Sequence, residues 1–206
     1  MKRMNKPKLT TTKGQAYKDR LTSKDVWWKR YFDVQRPYRN NLNSLNLGYV
    51  LDVGCGIGRN LTNMSKLNIA AVGVDHNQFA IDHVTSMGFQ AYNVEELPAH
   101  ITENSFDTLL ISHVLEHMTV DDAISLIEGY LPYLKTNGQI VVITPQEAGF
   151  RSDPTHIEFI DFEKTQQIFQ QLKFTTTRSY SFPLPRFAGH FFTHNEFVVV
   201  GNLTSE

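Results

Sequence analysis

The segment Val50–Leu61, VLDVGCGIGRNL, constrains the fold more than any other part of this 206-residue chain. Val50, Leu51 and Val53 form an apolar run, and Gly54, Gly56 and Gly58 follow it at once. That order predicts a buried strand, a tight turn whose backbone lies close to a ligand, and the start of a helix. Asp52 falls within the strand end, where a buried carboxylate is costly unless something polar meets it. A dinucleotide-binding turn reads G-x-G-x-x-G. Counted from Gly54, its third glycine would fall at position 59, which is Arg59. The spacing is therefore G-x-G-x-G, and a nicotinamide dehydrogenase is disfavoured.

A second apolar run, AAVGVDHN from Ala70 to Asn77, ends in Asp75 about one strand–helix–strand unit later. An acidic residue at the tip of a second strand can accept both hydroxyls of a ribose. Asp75 can also belong to the cap of the helix expected over 78–87, for which Asn77 is the N-cap candidate. The two roles are compatible. Further strands are expected near 89–92, 108–111, 139–143, 174–182 and 196–200, with helices over 60–67, 120–134 and 162–172 between them. Alternation followed by a terminal strand pair predicts an α/β fold, a mostly parallel sheet with an antiparallel edge strand. Ligands of such sheets bind beyond the carboxyl ends of the strands, which here carry Asp52, Asp75, Asn93, Ser112 and Thr144. Upstream, residues 25–45 have helical apolar spacing, with Pro37 expected to break or bend the helix. The segment mixes Trp27, Trp28, Tyr31 and Phe32 with Lys29, Arg30, Arg36 and Arg39. It is read as a lid over the cleft.

Asp52 with the three glycines resembles the first motif of class I S-adenosylmethionine (SAM) methyltransferases. NVEELP from Asn93, FDTLLISHVLEHM from Phe106 and LKTNGQIVVITPQ from Leu134 resemble later motifs of that family in the same order. The resemblance implies a Rossmann-like seven-stranded sheet with an antiparallel C-terminal edge strand and helices on both faces. It implies SAM as cofactor, gripped by Asp52, Gly54, Gly56, Gly58, Asp75, His76, Asn93, Val94 and Ser112. The family usually has Asp where Asn93 stands, accepting a hydrogen bond from the adenine amino group. An amide carbonyl can still accept it, and Glu95 or Glu96 is a fallback.

HVLEH, His113 to His117, matches the H-x-x-E-H of inverted zinc proteases, and helical spacing would set both histidines on one face. Following a strand and a cofactor motif, that match is read as chance. The fragment also resembles two methyltransferase subfamilies that can use a metal: O-methyltransferases of ubiquinone biosynthesis and enzymes that 2′-O-methylate small-RNA termini. Both tend to have E-x-x-E-H here and a later histidine, for which this chain offers His156 in DPTHIEFIDF. His113 replaces the first carboxylate, which suits a softer ion than Mg²⁺. His113, Glu116, His117 and His156 are taken as the catalytic candidates near the methyl acceptor. A general base at His113 or His156, with an ordinary pKa near ~6.5, and a purely structural role for His117 and His156 remain open. No metal ligand is assigned, and a divalent ion at these four residues ranks below the other readings.

Phe182, Phe187, Phe191 and Phe192 either line an apolar acceptor pocket or belong to the core, and Arg151 and Arg186 are candidates to pair an acidic group. Twelve Lys/Arg against three Asp/Glu fall in residues 1–40, while the remainder holds eight against eighteen. Residues 1–24 are accordingly read as a basic, partly disordered arm, and 25–206 as one domain. No apolar run approaches the ~20 residues of a membrane span. The single cysteine, Cys55, excludes an internal disulfide and fits a reducing compartment, the cytoplasm. The expected function is methyl transfer to a small-molecule hydroxyl. The alternatives are an RNA acceptor, which the basic arm encourages, and a non-catalytic SAM-binding regulator.

Overall fold

The structure, a computed structural model, describes residues 33–203. The basic arm, 1–24, and the first part of the expected lid, 25–32, lie outside the described residues. The remainder of that segment contains helix α1 (Arg36–Asn43). Pro37 sits in its first turn, where a missing N–H leaves no bond unmade. It lies at the start of this helix, and residues 33–35 before it are not helical.

Strands β1 (Val50–Val53), β2 (Ala71–Asp75), β3 (Ala91–Asn93), β4 (Phe106–Ser112), β5 (Leu134–Pro145), β6 (Phe174–Phe182) and β7 (Glu196–Leu203) form one sheet in the order β3-β2-β1-β4-β5-β7-β6. The first five are parallel neighbours, whereas β7 runs antiparallel to both β5 and β6. The fold class is the expected one. The antiparallel C-terminal strand lies one place in from the edge, and β6 forms the edge itself.

Central strands of such a sheet are covered on both faces, and their residues divide by parity. Leu51, Val53, Leu109, Ile111, Ile140 and Val142 point into one buried cluster. Val50, Leu110, Val141, Ile143, Val198 and Val200 point into the other. Helices α5 (Val120–Tyr130) and α7 (Phe162–Gln171) supply the first cluster through Ala123, Ile127, Ile168 and Phe169. Helices α1, α2 (Arg59–Ser65) and α3 (Gln78–Ser86) supply the second through Leu42, Leu61, Met64, Ile81 and Val84. A short α4 (Leu97–His100) follows β3, and α6 (Glu147–Ser152) follows β5.

The helix starts follow their side-chain caps. Asn77 Oδ1 accepts from the Phe79 N–H at 3.0 Å, Thr119 Oγ1 from Asp122 at 3.2 Å and Asp161 Oδ1 from Lys164 at 3.0 Å. Two boundaries differ most from expectation. Helix α5 stops at Tyr130, because Pro132 lies in a 3₁₀ turn, Leu131–Tyr133, and cannot donate to the preceding turn. Strand β5 starts at Leu134, where Leu134 pairs with Phe106 before the register shifts to Gln139 against Thr108.

Candidate functional site

The carboxyl ends of β1, β2 and β3 lie side by side, with Asp75 and Asn93 as direct partners in the ladder. Gly54, Gly56 and Gly58 all have positive φ, from 52° to 78°. At Gly54 a Cβ would run into Val114 Cγ2, so this position demands glycine on two grounds. Asp75 ties the turn to helix α3. Its Oδ2 accepts the Gly56 N–H at 2.9 Å and its Oδ1 the Asn77 N–H at 2.8 Å. The helix-cap role is therefore present, and each oxygen keeps lone-pair capacity towards a ligand.

Around Asp75 the other cofactor candidates divide by exposure. The His76 side chain is 93% exposed, with Nδ1 3.5 Å from Asp75 Oδ1. Asn93 Oδ1 accepts the Glu95 N–H at 3.3 Å, and its Nδ2 donates to His76 O and Gln78 Oε1 at 3.4 and 3.3 Å. Val94 is exposed beside it, while Ser112 is buried at the end of β4. Asp52 is buried, receives one long bond of 3.4 Å from Asn60 Nδ2, and has no partner for Oδ2 among the described residues. Burial pushes its carboxyl up to about 7. Asn60 and the Arg59 charge oppose that rise, and the Asp75 charge adds to it.

Beyond Ser112 the chain turns sharply. His113 has φ 59° and donates its N–H to Ile143 O at 2.9 Å, and a 3₁₀ turn covers Leu115–His117. No helix joins His113 to His117, so the two do not share a helical face as their spacing predicted. His113 instead lies between two buried carboxylates. Its Nε2 is 2.8 Å from Glu196 Oε1 and its Nδ1 3.3 Å from Glu116 Oε1. Burial alone would lower its pKa. The Glu196 charge, hydrogen bonding to Glu116 and Glu196, and the Glu116 charge together outweigh burial and raise it to about 9. With both ring nitrogens facing carboxylates, His113 is less free than His156 to act as the general base considered for either. Glu196, which sequence spacing missed, opens β7 opposite Pro145 and Phe182. Its only sequence signal is an acid heading the apolar run Phe197–Val200.

Glu116, His117 and His156 come together, each offering a ligand atom within 4.8 Å of the others. His117 Nδ1 lies 3.2 Å from Thr155 O and His156 Nδ1 2.8 Å from Phe150 O. Carbonyls only accept, so both Nδ1 atoms carry a proton, and Nε2 is the acceptor atom of each ring whenever the ring is neutral. The rings are 4.8 Å apart at 62°. Two imidazole nitrogens and a carboxylate make a donor set that fits a divalent metal.

Tyr38 of α1 was also missed. Its ring packs edge-on against Phe182 at 5.5 Å and under the Arg59 guanidinium at 5.7 Å, and its hydroxyl donates to His194 O at 3.4 Å. Burial and the Glu196 charge push its phenol up to about 12, against the Arg59 charge. Gln146 Nε2 donates to Ser181 Oγ and Glu196 O, and Gln146 Oε1 accepts from Asn195 Nδ2, anchoring the β6–β7 connection. On that connection Phe187 and Phe191 are 70% and 85% exposed, so neither is core. Arg186 pairs with Glu147, and Arg151 Nη2 donates to His190 O at 3.1 Å, so both have partners within the protein.

Comparison with known proteins adds three findings. The profile of a family described as "Methyltransferase domain" matches residues 28–194. Two curated relatives are ubiquinone biosynthesis O-methyltransferases. That of Alkalilimnicola ehrlichii is 26% identical over 163 residues, covering 68% of this chain and 65% of its own length. That of Bradyrhizobium diazoefficiens is 34% identical over 121 residues, covering 53% and 46%. The chain thus spans less than two thirds of either relative. Among solved structures, a 1,6-didemethyltoxoflavin-N1-methyltransferase from Burkholderia thailandensis, with bound 1,6-didemethyltoxoflavin and S-adenosylhomocysteine, superposes with a TM-score of 0.62 at 19% identity. That match covers 98% of this chain and 94% of the other.

Proposed function

The chain belongs to the methyltransferase-domain family, and from that premise we propose that it transfers the methyl group of SAM to a hydroxyl oxygen of a small molecule. The observation that carries this reading is the pairing of Asp75 with Asn93 beside a glycine turn whose Gly56 N–H is already fixed on Asp75. Asp75 accepts the ribose hydroxyls, the Asn93 carbonyl and the Val94 N–H address the adenine, and the glycine turn admits the amino-acid end close to Asp52. His76 and Ser112 border the same cleft. The bound S-adenosylhomocysteine of the Burkholderia relative supports the choice of cofactor. The names of the two curated relatives support oxygen as the acceptor atom.

Val114 packs on Gly54, and two residues further Glu116 faces His117 and His156. The chain therefore runs directly from the methyl donor's turn to the cluster. In the reaction the acceptor oxygen attacks the methyl carbon and the carbon–sulfur bond breaks. A neutral thioether leaves, and the acceptor's proton is given up at the cluster. Holding donor and acceptor in line supplies most of the acceleration such a displacement needs. The residues that would hold a divalent ion are Glu116, His117 and His156, and such an ion would lower the pKa of the acceptor hydroxyl. His113, held between Glu116 and Glu196, is read as a positioning residue. Tyr38, in the described part of the segment read as a lid, packs against Phe182 and Arg59.

The charge asymmetry of residues 1–40 supports RNA as the second acceptor reading. Calorimetry with S-adenosylhomocysteine, followed by labelled-methyl transfer to a panel of catechols, quinols and short RNAs, tests both. Binding with transfer to a phenolic oxygen is expected, transfer to RNA alone selects the second reading, and absence of binding overturns both.

A further inference from the structure

We propose that Tyr38 is a positioning residue that ties the glycine turn to the β6–β7 connection, 183–195, so that cofactor bound at the first stiffens the second. The inference deepens the functional reading above and rests on it for where the cofactor lies. The connection leaves the sheet after Phe182 and returns at Glu196, and these two residues are partners in the ladder. Tyr38 touches both of its feet. The ring packs edge-on against Phe182 at 5.5 Å, and the hydroxyl donates to His194 O at 3.4 Å. The third neighbour is Arg59, whose guanidinium lies over the ring at 5.7 Å. Arg59 opens α2 directly after Gly58, the last glycine of the turn. One half-buried side chain thus meets the exit of the turn and both ends of the connection.

Other ties of the connection lead elsewhere. Arg186 pairs with Glu147, and Arg151 Nη2 donates to His190 O, so both reach α6. Asn195 Oδ1 accepts the Leu184 N–H at 2.9 Å and closes the connection on itself. Phe187, Phe191 and Phe192 stay exposed, so polar bonds do most of the holding. A segment with few buried apolar contacts opens at low free energy, and one more tie then changes its mobility. That mobility bears on the reaction. Glu196, the returning foot, stands 2.8 Å from His113, beside the residues proposed to meet the acceptor.

The chemistry of the three contacts lets them transmit order. An aromatic face attracts a cation, and an aromatic edge packs against a second ring. Burial and the Glu196 charge push the Tyr38 phenol up to about 12 against the Arg59 charge, so it stays protonated and donates at neutral pH. Cofactor in the turn sets its amino-acid carboxylate beside Arg59, the first side chain after the glycines. An ion-paired guanidinium loses freedom, the ring beneath it loses freedom in turn, and the two feet follow. Ordering passed on in this way needs no change of backbone fold. Linkage makes it reciprocal, so an ordered connection strengthens cofactor binding.

Amide hydrogen exchange of the full chain, read by mass spectrometry with and without saturating S-adenosylhomocysteine, tests the tie, with calorimetry reporting affinity. In wild type the ligand should slow exchange by about threefold or more both in the turn, 54–60, and in the connection, 183–195. Tyr38→Ala should keep the protection of the turn and lose that of the connection. Tyr38→Phe, which keeps the ring and drops the hydroxyl, should restore most of it. Arg59→Gln, at an exposed position, should behave as the alanine variant does, and it decides the matter where Tyr38→Ala does not fold. A ring serving structure alone would alter exchange of 183–195 equally with and without ligand. The inference is overturned by wild type whose connection ignores bound S-adenosylhomocysteine, by protection of the connection that survives Tyr38→Ala or Arg59→Gln, or by Tyr38→Phe that matches the alanine variant. Absence of binding overturns the functional reading and this inference with it. Binding without protection of 183–195 overturns this inference alone.

Discussion

His113 Nε2 lies 2.8 Å from Glu196 Oε1, a contact that joins the end of β4 to the start of β7 across 83 positions of sequence. Glu196 is buried and the His113 side chain 31% exposed, so removing the histidine strands a buried carboxylate. Breaking a buried pair in this way costs about 3–5 kcal/mol.

Glu196→Ala should therefore lower unfolding free energy by about 3 kcal/mol, read by urea denaturation, and Glu196→Gln by less, because an amide oxygen can still accept from Nε2. Equal stability of the alanine variant and the wild type would show that the contact is energetically idle.

Asp52 gives the protein an acid-favouring stability component. Its folded pKa, about 7, lies above the ordinary carboxylate value of 3.8. The folded state therefore holds a proton that the unfolded state releases. That stabilisation is complete below about 4 and is lost as pH rises towards about 7. Asp52→Asn cannot ionise and should flatten the pH profile of melting temperature across this window. A profile identical to wild type would remove Asp52 as its source.

Asp75→Ala removes the acceptor that holds Gly56 and Asn77 as well as the proposed ribose contact. S-Adenosylhomocysteine affinity should fall at least tenfold, or about 1.4 kcal/mol, in calorimetry on protein that still shows a cooperative melt. Unchanged affinity would detach the site from the β2 tip.

His156→Ala is expected to reduce turnover at least a hundredfold, within the range of a lost acid–base or metal-linked group, while S-adenosylhomocysteine affinity stays within twofold of wild type, RT ln 2 being about 0.4 kcal/mol. Turnover that persists in labelled-methyl assays would place the acceptor elsewhere.

Gly54→Ala meets Val114 and a φ of 72° together. A loss of about 1–3 kcal/mol is expected, and adding Val114→Ala should recover the steric share but not the backbone share. Full additivity in the double-mutant cycle would contradict the packing described here.

The glycine turn, the succession of strands along the chain up to β5 and the acid tips were legible because each rests on local chemistry: apolar parity, glycine spacing, and caps such as Asn77. What escaped was nonlocal or masked by turn-like composition. Lys135–Gly138 reads as a loop, yet pairing of Leu134 with Phe106 draws it into β5. Helix α6 has six residues and no side-chain cap, too little for a periodic signal. The four candidates His113, Glu116, His117 and His156 were visible as residue types. Their division into a charge clamp on Glu196 and a separate three-donor cluster depends on the left-handed turn at His113, which spacing rules for helices do not foresee. Tyr38 sits in an aromatic, basic stretch whose individual members sequence could not rank.

Strand β7 is synthesised last among the strands but inserted between two that precede it. Strands β5 and β6 therefore have no direct ladder and meet only through β7, and of the two carboxylates against His113 it is Glu196 that β7 brings. A chain without β7 would keep every residue of the glycine turn yet lose both the bridge between β5 and β6 and the Glu196 contact to His113.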